Sequence, residues 1–142
     1  GPKTRPPHEL PMDGVVWHGH LRKEIAEEAA ELDGLFGTCS VFVLPSLYEP
    51  FGIAPVEAMM HGIPAIVSGA WALRETVMHE KTGLHVSPGD EEELAAAIQR
   101  MLDEPETARM WGTNARRHAL ERFTWTGVVD RLCVAISQCA GQ

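Results

Sequence analysis

Cysteine is scarce in this chain: Cys39, Cys133 and Cys139 are the only three among 142 residues, an odd number with no CxxC pair. Such usage offers no disulfide framework, and a reducing, cytoplasmic setting is the expectation. Metal-ligand spacing is lacking as well. His18 and His20 would face one side of a strand, but no second Cys or His pair completes a ligand set, so neither a metal nor another cofactor is expected. No apolar run approaches the ~20 residues that cross a bilayer, and the N-terminus carries no signal-peptide pattern. Positive charge is short too, with 12 Lys and Arg against 20 Asp and Glu, a net charge of −8. Nucleic acid and anionic membranes attract basic faces, so neither is an expected partner. A phosphate remains compatible with that charge, because local backbone dipoles can hold an anion against it.

What is present is ordinary globular material: 44% hydrophobic and 23% charged residues, in a length that suits one domain with a full core. Pro2, Pro6, Pro7 and Pro11 make residues 1 to 14 an extended lead-in. A regular alternation follows. Val15-Val16-Trp17 reads as a short buried strand. Leu21, Ile25, Ala29 and Leu32 then mark an amphipathic helix that ends at Gly34. Ser40 to Leu44 is a continuous apolar run stopped by Pro45, the pattern of a parallel strand covered on both faces. A helix is predicted from about Gly52 to His61, and a strand over residues 64 to 67. A short helix over residues 72 to 79 and a strand over 83 to 86 come next. Asp90 is a good N-cap for a helix with Leu94, Ile98, Met101 and Leu102 on its core side. Pro105 opens a helix that runs to about Arg122. The last helix, from about Thr126, is expected to bury Val129, Leu132 and Ile136. Strands alternating with helices, the strands all apolar, predict an α/β fold, a Rossmann-like parallel sheet of about four strands with helices on both faces.

Ligands of such sheets bind beyond the carboxyl ends of the strands. There lies the run Pro45-Ser46-Leu47-Tyr48-Glu49-Pro50-Phe51-Gly52, leading into a helix that carries Glu57. The prolines stiffen the loop, and Gly52 lets a ligand approach the backbone. Amides at the start of the helix suit a phosphate or an electron-rich hydroxyl. Two carboxylates beside an anion site make sense where the ligand also carries hydroxyl groups that donate to them. Phosphate plus polyol describes a nucleotide sugar.

The string PSxxEPFGxxxxEAMxxGxP, with Glu49 and Glu57 separated by seven residues, resembles the signature of the retaining GT-B glycosyltransferases of group 1. The likeness continues through Glu75, Thr82-Gly83-Leu84, Pro88-Gly89-Asp90 and Phe123-Thr124-Trp125, covering residues 14 to 126. It implies that residues 15 to 142 form the C-terminal, donor-binding domain of such an enzyme. Glu49 would then be the catalytic carboxylate, bonding donor-sugar hydroxyls. Ser46 and the backbone around Phe51, Gly52 and Ile53 would meet sugar and phosphate, Glu57 the ribose, and Gly19, His20 and Leu21 the nucleobase. Trp71 and Ala72 stand where the family usually has a Gly-Gly pair, and Trp71 is expected to narrow the pocket.

The resemblance also implies missing parts: an acceptor domain, and the strand and cationic loop that open the donor domain. Gly1-Pro2 reads either as the remnant of a cleaved tag or as the Gly-Pro that family members carry after their second strand. An exposed strand edge would invite a strand-exchanged homodimer or a partner chain. The expected activity is hexosyl transfer from a UDP- or GDP-sugar with retention, this chain supplying the donor half and inactive alone. The competing readings are an inactive nucleotide-sugar-binding or interaction module working through a partner, and a GT-B epimerase or phosphorylase.

Overall fold

The computed structural model describes residues 13–140; the prolines of the lead-in and Gly1-Pro2 lie outside them. The chain divides into two compact units, one reaching Thr38 and one from Cys39 onward.

In the first unit the helix α1 spans Ala26–Thr38, later at both ends than the Leu21-to-Gly34 span expected. The late start has a local cause. Glu28 accepts from the Arg22 amide at 2.6 Å and from the Arg22 guanidinium at 2.5 Å, holding residues 22 to 25 as a turn before the first helical residue. Gly34 does not end the helix because it takes no left-handed backbone there; a glycine with helical φ costs only about 1 kcal/mol relative to alanine. Val15-Val16-Trp17 is not a strand. It pairs with no other strand among the described residues, and Val15 and Val16 are exposed. Without ladder partners an apolar triplet has nowhere to place its backbone hydrogen bonds.

The second unit holds a three-stranded parallel sheet, β1 (Phe42–Leu44), β2 (Ala65–Ser68) and β3 (Gly83–Val86), in the order β1-β2-β3. Helix α2 (Ile53–Met60) links β1 to β2, and α3 (Leu73–Thr76) lies between β2 and β3. Three helices follow: α4 (Glu91–Asp103), α5 (Pro105–Arg122) and α6 (Trp125–Ala140). The sheet thus has three strands where about four were expected.

Period-two alternation along the strands sends side chains to two separate cores. Val43, Ile66 and Leu84 are aligned across the ladder and face Met101 and Trp111. Phe42, Ala65, Leu44 and Val67 point to the other face, against Met59, Leu73 and Ala119. Both faces being covered explains why the strands read as unbroken apolar runs. Helix α5 serves both cores, Ala108 and Trp111 on one and Ala115 and Ala119 on the other. Its approach to the sheet depends on Gly112, where a Cβ would lie 2.1 Å from the Gly62 carbonyl oxygen. Asp90 caps α4 as expected, accepting from the Glu93 amide at 2.8 Å, while Glu93 in return accepts from the Ser87 amide at 2.6 Å.

Helix α6 departs from expectation. Val129, Leu132 and Ile136 are about half exposed rather than buried. The stripe is amphipathic, but α6 packs against α5, and nothing among the described residues covers that stripe. No helix of the described residues is long and apolar enough to cross a membrane.

Candidate functional site

The loop from Pro45 to Gly52 leaves the carboxyl end of β1 and enters α2 through a left-handed residue. Gly52 has φ 84°, a conformation glycine adopts without steric cost. A Cβ there would stand 2.6 Å from Leu73 Cδ2, so the loop is seated directly on α3. Two further contacts hold the loop from below. The Thr76 hydroxyl shares its one proton between the carbonyls of Phe51, at 3.1 Å, and Ala72, at 2.9 Å. The Phe51 ring meets Phe123 edge to face at 6.2 Å, and Phe123 in turn meets His118 at 5.6 Å. His118 is buried, and burial, with Arg122 adding to it, holds its pKa below the usual imidazole range.

Glu49 folds back onto its own loop. One carboxylate oxygen accepts from the Phe51 amide at 3.3 Å and from the Gly52 amide at 3.0 Å. The backbone donors expected to meet a ligand are therefore partly occupied by a side-chain anion. Ile53, the first residue of α2, is exposed, and Glu57 lies half-buried on the same helix. Ser46 is half-buried in the loop. Ser46, Glu49, Phe51, Gly52, Ile53 and Glu57 thus sit on one loop-helix segment. Gly19, His20 and Leu21 belong to the first unit, in an irregular stretch where Gly19 has φ 73° and His20 is exposed. Nearby, His18 Nδ1 lies 2.7 Å from Glu31 of α1, so that imidazole has a carboxylate partner.

The mouth of the loop is aromatic. Trp71 lies just past the carboxyl end of β2 with φ 53°, keeping a left-handed backbone with a bulky side chain. Its indole N–H donates to the Leu47 carbonyl at 3.3 Å, and its ring meets Tyr48 at 5.3 Å with the planes 74° apart. Sequence reasoning singled out Trp71 but missed Tyr48, Thr76, Phe123 and His118 as parts of one assembly. Phe123 was visible only as part of a motif, and Thr76 carried no signal at all.

At the carboxyl end of β3 a cavity of about 410 Å³ is lined by Arg74, His79, His85 and Glu93. His79 Nδ1 accepts from the His85 amide at 2.9 Å. His85 Nε2 lies 2.6 Å from the Val77 carbonyl, and burial lowers the pKa of His85. Among the described residues no three His, Cys, Asp or Glu side chains cluster as a metal-binding set.

A parallel Rossmann-like sheet flanked by helices is the architecture of the C-terminal domain of GT-B glycosyltransferases. Residues 13–118 match the family model of the glycosyl transferases group 1, and the chain belongs to that family. It is 38% identical over 129 residues to an MMP α-(1→4)-mannosyltransferase of Mycolicibacterium hassiacum, a match over 90% of this chain and 30% of that protein. Its structure is similar to sucrose-phosphate synthase from Thermosynechococcus elongatus, with a TM-score of 0.69 and 38% identity over 82% of this chain and 29% of that one. It also resembles Anabaena HepE, solved in complex with UDP-glucose, with a TM-score of 0.66 and 25% identity over 82% of this chain and 36% of that one. The chain therefore spans about a third of the length of these relatives.

Proposed function

We propose that this chain supplies the donor-binding half of a hexosyltransferase, holding a UDP- or GDP-sugar while the sugar passes to an acceptor with retention of configuration. The observation that carries the reading is the position of Glu49 on the Phe51 and Gly52 amides at the start of α2. That geometry puts a hydroxyl acceptor and backbone anion donors side by side, as a sugar attached to a diphosphate requires. On this reading the donor displaces the Glu49 oxygen from the amides, the amides turn to the donor, and Glu49 takes the sugar hydroxyls. Glu57 takes the ribose. The amides stabilise charge developing on the leaving diphosphate, and no metal is needed for that step. Retention rests on the likeness of the Glu49-to-Glu57 string to retaining members of the family. Because the chain spans 30% of the mannosyltransferase it resembles, acceptor recognition and turnover fall to the rest of such an enzyme.

Calorimetric titration with UDP- and GDP-sugars, repeated with Glu57→Ala, tests the reading. Saturable binding that weakens at least about tenfold in the variant supports it, as expected for loss of hydrogen bonds to a charged group. Equal binding by both proteins would remove Glu57 from the site.

A further inference from the structure

Trp71 takes up a backbone conformation that bulky residues avoid, and burial gives it nothing in return: it has φ 53° and remains 61% exposed. A residue held in a sparsely populated region without filling a core points to a role at the surface it lines. The ring is nonetheless fixed. Its one polar atom is satisfied by the Leu47 carbonyl, and Tyr48 meets it edge to face. Tyr48 is itself 65% exposed, so the pair forms an open platform rather than a packed cluster. The platform leans on the loop that carries Glu49, at the carboxyl ends of β1 and β2, where ligands of parallel sheets bind.

We infer that Trp71 and Tyr48 form a sugar-stacking subsite that takes the apolar face of a pyranose ring. The indole face is electron-rich and attracts the positive edges of C–H bonds. A pyranose presents a face of C–H groups and a rim of hydroxyls, and the neighbouring Glu49 is an acceptor for such a rim. The inference rests on the proposed donor-site reading, and the ring could come from the donor sugar or from a sugar acceptor.

The test follows the Trp71 indole N–H in the nitrogen-15 NMR spectrum of the full chain, assigned by its absence in Trp71→Phe. The probes are UDP, GDP, UDP-glucose, GDP-mannose and methyl α-glucopyranoside. A donor source predicts a larger indole shift with a nucleotide sugar than with its nucleoside diphosphate. It also predicts that Trp71→Gly weakens nucleotide-sugar binding about three- to tenfold, leaves the nucleoside diphosphate unaffected, and that Trp71→Phe keeps most of the affinity. An acceptor source predicts a saturable indole shift with methyl α-glucopyranoside that Tyr48→Ala diminishes. Unchanged amide shifts over residues 49 to 53 in free Trp71→Gly would show that the loop keeps its shape. Equal indole shifts with nucleotide and nucleotide sugar, and none with the glucoside, would overturn the subsite while leaving the donor site intact. If no nucleotide binds at all, the donor reading fails, and the subsite stands or falls on the glucoside alone.

Discussion

The Glu49 carboxylate lies 3.0 Å from the Gly52 amide, at the amino end of the helix that carries Glu57. This pair gives Glu49 two separable roles. In the structure it caps the loop; on the proposed reading it leaves the amides for sugar hydroxyls when a donor binds. Glu49→Ala should therefore lower stability by about 0.5–2 kcal/mol, the cost of losing such a cap. It should also weaken nucleotide-sugar binding about tenfold or more, from the loss of charge-assisted bonds. Binding of the bare nucleoside diphosphate should hold or improve, because an anion competing for the amides has gone. Calorimetry on both ligands checks this. An equal loss for both would mean that the substitution merely collapses the loop.

Two glycines allow close contacts, Gly52 between the site loop and α3 and Gly112 between α5 and the turn that leads into β2. At Gly52 a methyl group would strike Leu73 in a backbone already left-handed, and at Gly112 it would strike the Gly62 carbonyl. Each Gly→Ala change should destabilise by about 1–3 kcal/mol, the cost of overpacking a closely fitted contact. Gly34→Ala is the control. It lies within α1, and a methyl group there would meet nothing within 4 Å, so the change should stabilise by about 0.5–1 kcal/mol. Urea unfolding of the three variants checks the contrast, and equal changes at all three would refute the close-contact argument.

Thr76 offers a way to disturb the loop without touching a ligand. Thr76→Val removes the proton shared by the Phe51 and Ala72 carbonyls and should cost about 1 kcal/mol of stability. Donor affinity should fall by a few-fold, since the loop amides lose part of their support. Amide hydrogen exchange over residues 49 to 53 should quicken. Unchanged exchange would show that Phe123 and Leu73 hold the loop unaided.

Where local chemistry decides, the chain was readable. Pro105 opens α5 and Asp90 caps α4, because proline at a first turn and aspartate at a cap act on the nearest few residues. The strand over residues 83 to 86 was read with its observed limits, and the Glu49 loop was found from spacing and turn residues. Features that depend on distant partners were not readable. Val15-Val16-Trp17 has the composition of a strand but no ladder, and the apolar stripe of α6 has the period of a core helix but no cover among the described residues. The return of Glu49 to its own amides is a three-dimensional competition for donors that no spacing rule encodes. Nor does anything in the neighbouring residues announce that Trp71 keeps a left-handed backbone.

Acid should weaken the second unit before it reaches the carboxylate range. His118 and His85 both have pKa values lowered by burial, His118 further by Arg122 and His85 by His79 and Arg74. A histidine with a folded pKa below its unfolded value contributes stability that is complete above the unfolded value, about 6.5. That contribution is lost as the pH falls from there through the folded pKa, because the unfolded chain binds the proton more readily. Each histidine can add a slope of at most about 1.4 kcal/mol per pH unit. His118 packs on Phe123, which supports Phe51, so the Glu49 loop should loosen along with this loss. Glu28 in the first unit acts in a lower window: Arg22 holds its pKa down to about 2, and its contribution disappears as the pH falls from the ordinary carboxylate value of 4.5 towards that point. Urea midpoints measured from about pH 8 down to about pH 5.5 should fall, and His85→Gln with His118→Gln should flatten the curve. A midpoint that is flat in the wild-type chain, or one that falls as steeply in the double variant, would show that neither imidazole is linked to folding.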